Sequence, residues 1–176
     1  NPYIMSGHVI IISGTTLTIE PGVEIFIDGN YLLKVDGYLY AEGTVEDSIV
    51  FTSNSNVPNS ADWGGIKFEN GNGSIIFCKI EFAETGISIE SNSPYIGNSK
   101  IINCNTGIFT GRSVQSLIEE NYICFNNHGI HAWMTTNVIH KNIISNNSNS
   151  AVLLTYYGSP HITYNIIENN GGTAIE

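Results

Sequence analysis

A period constrains this chain more than any other feature. A small residue followed by an aliphatic one recurs at Gly65-Ile66, Gly86-Ile87, Gly107-Ile108, Gly129-Ile130, Ala151-Val152 and Ala174-Ile175, in steps of 21, 21, 22, 22 and 23 along the chain. A second column runs Ile75, Ile96, Ile118, Ile139 and Ile162, and a third runs Ile80, Ile101, Ile123, Ile144 and Ile167. Self-similarity at such a spacing marks a repeat architecture, in which each unit buries its apolar face only by stacking on its neighbours. Three columns in one period predict three strands per turn. The expected fold is therefore all-β: a right-handed, single-stranded parallel β-helix, a solenoid with a coil step of about 21–23. Composition agrees, because only 12% of residues are charged while Ile, Gly and Asn abound. Ile packs well on a pleated surface, and Gly and Asn tolerate the left-handed conformations of sharp corners. No segment carries the three-to-four-residue apolar period of an amphipathic helix.

Two polar columns share the period. One runs Cys78, Ser99, Asn121, Asn142 and Asn165; the other is read as Glu84, Asn105, Asn127, Asn147 and Asn170. Both are expected to be asparagine ladders, in which amides one coil apart bond to each other and to turn backbone. Asn121, Asn142 and Asn165 should lie at a corner and be largely buried. Residues 1–176 read as one domain, with 1–62 forming N-terminal coils and a polar loop, and 63–176 forming the regular repeats. In the first part, strands are expected at 16–19, 23–27, 32–35, 38–41 and 49–52, separated by Pro21-Gly22, Asp28-Gly29-Asn30, Asp36-Gly37 and Glu42-Gly43. Residues 53–62 read as a polar bulge. The fresh Ala174-Ile175 step predicts that the natural protein continues into further repeats, and end-to-end self-assembly is an associated expectation. Cys78, Cys104 and Cys124 do not stack in this register, so no disulfide is expected.

Six Lys plus Arg face sixteen Asp plus Glu, a formal charge of −10, which argues against a nucleic-acid partner. No apolar run reaches the length of a membrane span, so no membrane insertion is expected. The N-terminus lacks a basic region followed by an apolar one, which reads as a mature chain whose secretion signal has been removed. No metal-ligand spacing is present and no cofactor is expected. Asp28, Asp36, Asp47 and Asp62 are turn acids that offer oxygen ligands suited to calcium, but their spacing is not that of a calcium loop.

Several stretches carry a resemblance. Gly14-Thr15-Thr16-Leu17-Thr18-Ile19-Glu20-Pro21-Gly22-Val23, Gly37-Tyr38-Leu39-Tyr40-Ala41-Glu42-Gly43-Thr44, Ile49-Val50-Phe51-Thr52-Ser53 and Trp63-Gly64-Gly65-Ile66 resemble the opening of secreted right-handed β-helix repeat proteins of bacteria and archaea. Asn126-Asn127-His128-Gly129-Ile130 is similar to the repeat of carbohydrate-binding and sugar-hydrolase β-helix domains. The resemblance implies a secreted or cell-surface location and a polysaccharide or surface glycan as partner. It does not choose an activity, because that family spans lyases, hydrolases, epimerases, adhesins and a copper-site maturation protein.

Alternation along a strand sends the residue after each inward aliphatic outward, giving a surface column of Lys67, Ser88, Phe109, His131 and Leu153. The next outward column is Glu69, Glu90, Gly111, Trp133 and Thr155. With Arg112, Tyr156 and Tyr157 just beyond the strand ends, one face gathers aromatics, a cation and a histidine. Phe109, Arg112, His131, Trp133, Tyr156 and Tyr157 are the expected ligand-binding residues, since aromatic faces stack on sugars and charged groups bond their hydroxyls or carboxylates. Residues 53–62 with Trp63 are the second place to look. The function expected is a polysaccharide-binding, adhesive or structural module. The alternative is a polysaccharide lyase or glycoside hydrolase working along the helix face. For it, His131 is the candidate base, Arg112 the neutralising cation and Glu90 a candidate acid. Lys141 with His140 is a further pair, whereas Glu119 and Glu120 face opposite sides of a strand and make a poor one.

Overall fold

The structure, a computed structural model, describes residues 2–112 and 114–176. Its regular structure is entirely strand, in three parallel sheets. The first sheet has eight strands beginning with Tyr3–Met5, the second seven beginning with Val9–Ile11, and the third seven beginning with Thr16–Ile19. Every third strand joins the same sheet, so the chain makes seven full turns and adds Ile166–Glu168 as the first strand of an eighth. The three expected columns are all present. Ile66, Ile87, Ile108, Ile130 and Val152 lie one above another in the second sheet. Ile75, Ile96, Ile118, Ile139 and Ile162 do so in the third, and Ile80, Ile101, Ile123, Ile144 and Ile167 in the first. From Ile66 to Val152 these side chains are fully buried. Each then contributes on the order of 1.5–3 kcal/mol relative to exposure, which makes the columns the main stabilising element.

The N-terminal strands join the same three sheets, close to the predicted positions. They are Thr16–Ile19, Glu24–Ile27, Leu32–Val35, Tyr38–Glu42 and Ile49–Ser53. The first coil keeps a step of 22, from Leu17 to Leu39, but the next is longer: Leu39 lies opposite Gly73, a step of 34, and Leu33 opposite Ile66, a step of 33. The extra length includes the bulge after Ser53, which is tied down where Ser53 Oγ donates to Asp62 Oδ2 at 2.7 Å and the Asn59 amide donates to the same oxygen at 3.1 Å. Trp63, expected with this bulge as a second place for a ligand, is instead fully buried. Its indole Nε1 donates to the Glu81 carbonyl at 2.9 Å, so its aromatic surface belongs to the core.

The corner between the third and first sheets carries the first ladder as expected, with Asn121 and Asn142 buried, while Asn165 is only half-buried. The Asn142 Oδ1 accepts from the backbone and side-chain nitrogens of Asn121, each at 3.0 Å, while Asn142 Nδ2 donates to Ile118 O at 2.9 Å and Asn165 Oδ1 at 3.0 Å. Asn121 Oδ1 in turn accepts from the Ser99 backbone N–H, and Ser99 Oγ from that of Cys78. The second column needs correction. The buried ladder between the first and second sheets is Cys104, Asn126, Asn147 and Asn170, joined at 2.9, 3.0 and 3.0 Å through backbone N–H to side-chain oxygen. Asn127 and Asn105 belong instead to an outer row, Glu84, Asn105, Asn127 and Asn149, with amide-to-oxygen bonds of 2.8, 3.2 and 2.6 Å. The spacing held the clue: Asn126 to Asn147 is a full coil step, whereas Asn127 to Asn147 falls one position short of it. Cys78, Cys104 and Cys124 are buried free thiols. Burial pushes the Cys78 and Cys104 thiols up to about 12.

Candidate ligand-binding face

The outer face of the second sheet has two halves, and strand register sets both. Lys34, Lys67, Ser88, Phe109, His131 and Leu153 align on successive coils. On the earlier coils the charges neutralise one another. Lys34 bridges Asp36 at 3.2 Å and Glu69 at 3.0 Å, and Lys67 bridges Glu69 at 3.8 Å and Glu90 at 3.6 Å. These pairs hold the Lys34 ammonium above its ordinary range, chiefly through Glu69. The candidate acid Glu90 is thus engaged twice, since Ser88 Oγ also donates to its Oε1 at 3.1 Å. Sequence reading placed Glu69 and Glu90 in one outward column but missed this lattice. Its signal was available in Lys34, Lys67 and the two glutamates, which repeat in register.

Beyond Ser88 the face becomes aromatic. Phe109 and His131, half-buried on adjacent strands Thr106–Thr110 and His128–Trp133, meet edge to face with centroids 5.2 Å apart. His131 Nε2 lies 2.9 Å from Thr155 Oγ1 on the next coil. Burial, with help from the neighbouring His128, lowers the His131 pKa from its ordinary value, which favours the uncharged ring. One position further along, Trp133 meets Tyr156 at 6.0 Å, again edge to face. Tyr156 and Tyr157 are exposed and both adopt left-handed backbone, with φ of 56° and 61°. Such a conformation costs about 1–3 kcal/mol for a non-glycine residue, so two successive tyrosines are held outward at a cost in stability. Arg112 is exposed and makes no ion pair among the described residues. The structure therefore joins Phe109 to His131 and Trp133 to Tyr156, and sets Arg112 and Tyr157 at the strand ends as expected.

The other candidates sit elsewhere. Glu119, on the third sheet, accepts from the Tyr95 hydroxyl at 3.0 Å, and Glu120 turns away to Lys141 at 3.6 Å. His140 Nδ1 lies 2.8 Å from Thr163 Oγ1, and its ring meets Tyr164 at 5.3 Å. The turn acids are dispersed. Asp28 accepts from Asn54 and Asp62 from Ser53 at the corner between the first and second sheets, whereas Asp36 accepts from Asn70 at the corner between the second and third. Among the described residues no three His, Cys, Asp or Glu side chains are grouped to hold a metal ion.

Comparison with known proteins agrees with the stacked parallel coils. The model of the pectate-lyase-like β-helix domain matches residues 1–110. This chain belongs to the pectate-lyase-like β-helix family. A second likeness, 41% identity over 59 residues, is to Protein bark beetle of Drosophila melanogaster; it takes in 34% of this chain and 2% of that protein. No solved structure matches. Of the six ligand-face residues, only Phe109 falls within the span that the family model matches. Arg112, His131, Trp133, Tyr156 and Tyr157 lie on coils beyond it, so family membership carries the solenoid and leaves the aromatic face to be argued from its own chemistry.

Proposed function

We propose that this solenoid is an extracellular or cell-surface module that binds polysaccharide along the aromatic half of the second sheet. The reading rests on one observation: Phe109–His131 and Trp133–Tyr156 form two edge-to-face pairs on adjacent coils, rimmed by Arg112 and Tyr157. Aromatic rings on a rigid, nearly flat sheet suit the apolar faces of sugar rings, and His131 with Thr155 offers hydrogen-bonding groups to their hydroxyls. The self-neutralised lattice of Lys34, Lys67, Glu69 and Glu90 marks where that surface ends. A long polymer crossing several coils adds many weak contacts. The extracellular location follows the family, whose domains are often extracellular.

A glycan array followed by calorimetry on the best ligand tests this. Trp133→Ala should weaken binding by about 1 kcal/mol or more, roughly fivefold, without unfolding the chain. Unchanged affinity in both Trp133→Ala and Tyr157→Ala would sink the proposal. The alternative, a lyase or hydrolase, draws support from the imidazole of His131, whose uncharged form burial favours. Against it, His131 is held by Thr155 and Glu90 by Lys67 and Ser88, so neither candidate group stands free for proton transfer. New reducing ends or unsaturated-uronate absorbance on incubation with polysaccharide would restore it.

A further inference from the structure

The outer face of the first sheet carries a groove that the second-sheet reading leaves unused. Register aligns Lys79, Lys100 and Tyr122 on three successive coils, with Ile102 and Cys124 in the adjoining outward column. Val45, Phe77 and Phe125 also line this cavity of about 500 Å³, and Val45 and Phe125 are exposed apolar side chains. Lys79 is bound to Glu81 at 2.9 Å, so the two cancel. Lys100 is exposed and has no ion pair among the described residues. Tyr122 is half-buried and stands directly beside Lys100 in the strand register. The groove thus combines apolar walls, a tyrosine ring and one uncompensated ammonium in a chain whose formal charge is −10.

That combination selects a ligand. Apolar walls and an aromatic ring suit sugar rings, while a single net cation matches a single acidic group. A densely charged polyanion would meet Glu81 and the overall negative field with only one ammonium to offset them. Neighbouring strands are about 4.8 Å apart, so a glycan running along the solenoid axis meets Lys79, Lys100 and Tyr122 in turn. We propose that this groove is a second glycan site, taking a chain of neutral sugars that carries an isolated uronic acid, whose carboxylate pairs with Lys100.

The test is calorimetric titration of the whole chain with three probes: xylotetraose bearing one glucuronic acid, unsubstituted xylotetraose, and octagalacturonate. The singly acidic probe should bind about tenfold more tightly than the neutral one, as expected for one charged hydrogen bond in a partly desolvated groove. Lys100→Gln should abolish that preference, Lys100→Arg should retain most of it, and Trp133→Ala should leave it intact. Lys100 is exposed, so these variants are expected to fold, which circular dichroism checks. Equal binding of the acidic and neutral probes, a preference that survives Lys100→Gln, or tighter binding of octagalacturonate would each overturn the proposal. Loss of the preference in Trp133→Ala would also overturn it, by placing the acidic sugar on the second sheet. Failure of the second-sheet reading shows separately, as neutral-glycan binding that ignores Trp133→Ala.

Discussion

The N-terminal coils and the regular coils turn their corners by different physical means. Early corners use glycine where the backbone enters positive φ, at Gly14, Gly22 and Gly29 with φ of 78°, 74° and 132°. A residue without Cβ adopts such angles at little steric cost. Later corners place non-glycine residues there once per coil. At the corner between the third and first sheets these are Asn98, Glu120, Lys141 and Tyr164, and at the corner between the first and second they are Asn103, Phe125, Asn146 and Asn169. Each stands immediately before a ladder residue, from Ser99 to Asn165 in one series and from Cys104 to Asn170 in the other. A left-handed non-glycine residue costs about 1–2 kcal/mol, and identity matters little, since Glu, Lys, Phe and Tyr all occur. The amide that follows offsets the cost by closing bonds to the coils above and below. The comparison teaches that a side chain one residue downstream can sustain a bend that the bending residue itself disfavours.

Breaking the ladder is the most severe test of this contrast. Asn142→Leu leaves the Asn121 N–H, one proton of the Asn121 amide and the Ile118 carbonyl without partners, all in a buried corner. The expected loss is about 3 kcal/mol or more, because each orphaned group costs roughly 1–3 kcal/mol and the gain from burying Leu offsets only part. Chemical denaturation measures it, with Asn127→Ala in the half-buried outer row as the control. That control is expected to change stability by no more than about 0.5 kcal/mol. Comparable losses in the two variants would remove the distinction between buried ladder and outer row.

The next effect separates close approach from backbone angle. A Cβ on Gly107 would lie 2.5 Å from the Gly129 carbonyl oxygen and 2.9 Å from Ile123 Cγ2, so Gly107→Ala must push apart two stacked coils and should cost about 1–3 kcal/mol. Gly22 has room: an added Cβ would sit 3.6 Å from Asp47 Cβ, an ordinary contact, but at φ +74°. Gly22→Ala should cost less, about 0.5–1 kcal/mol, the left-handed strain being partly offset by the lower entropy of the unfolded chain. Melting curves of the two variants rank them, and the reverse order would show that the N-terminal corners are the more constrained.

The smallest effect is a dependence on pH. The folded-state pKa of His131 lies below its unfolded value, so its contribution to stability is fully present above about pH 6.5, the unfolded imidazole value, and is lost as pH falls through the folded pKa. Stability should therefore decline on mild acidification, and His131→Asn should flatten that decline. The charged half of the same face responds only at more acidic pH. There the Asp36 carboxyl, held below its ordinary value mainly by the Asn70 amide and also by Lys34, keeps its favourable form until pH falls through its folded pKa. Urea titrations at several pH values distinguish the two groups.

Much of this architecture is legible in the chain itself. The recurring coil step names the neighbours of Ile87, Ile108 and Ile130, and strict alternation then decides which side chains face out. Hence the outward column from Lys67 to Leu153 could be written directly from the sequence, and Phe109, His131 and Trp133 with it. Less legible were the partners those residues take. Nothing in the spelling of Glu90 distinguishes a free carboxylate from one held by Lys67 and Ser88, and Trp63 next to a polar bulge reads as a surface aromatic although it fills the core. The first-sheet groove is hidden in a similar way: Lys79 and Lys100 stand one coil step apart, but the aliphatic columns dominate the pattern along that sheet.

By itself, the sequence determined the number of strands per coil, the coil length and the inward set, because these depend on period and side-chain alternation, which are properties of a one-dimensional pattern. Tertiary structure decided which asparagine of Asn126-Asn127 points inward, which residue at each corner takes the left-handed angle, and which charges cancel. The physical reason is that each of these choices is made between coils. An amide of Asn126 turns in because the oxygen of Asn147 and the carbonyl of Ile101 stand within bonding distance at 3.1 and 3.0 Å, and those distances exist only once the coils are stacked.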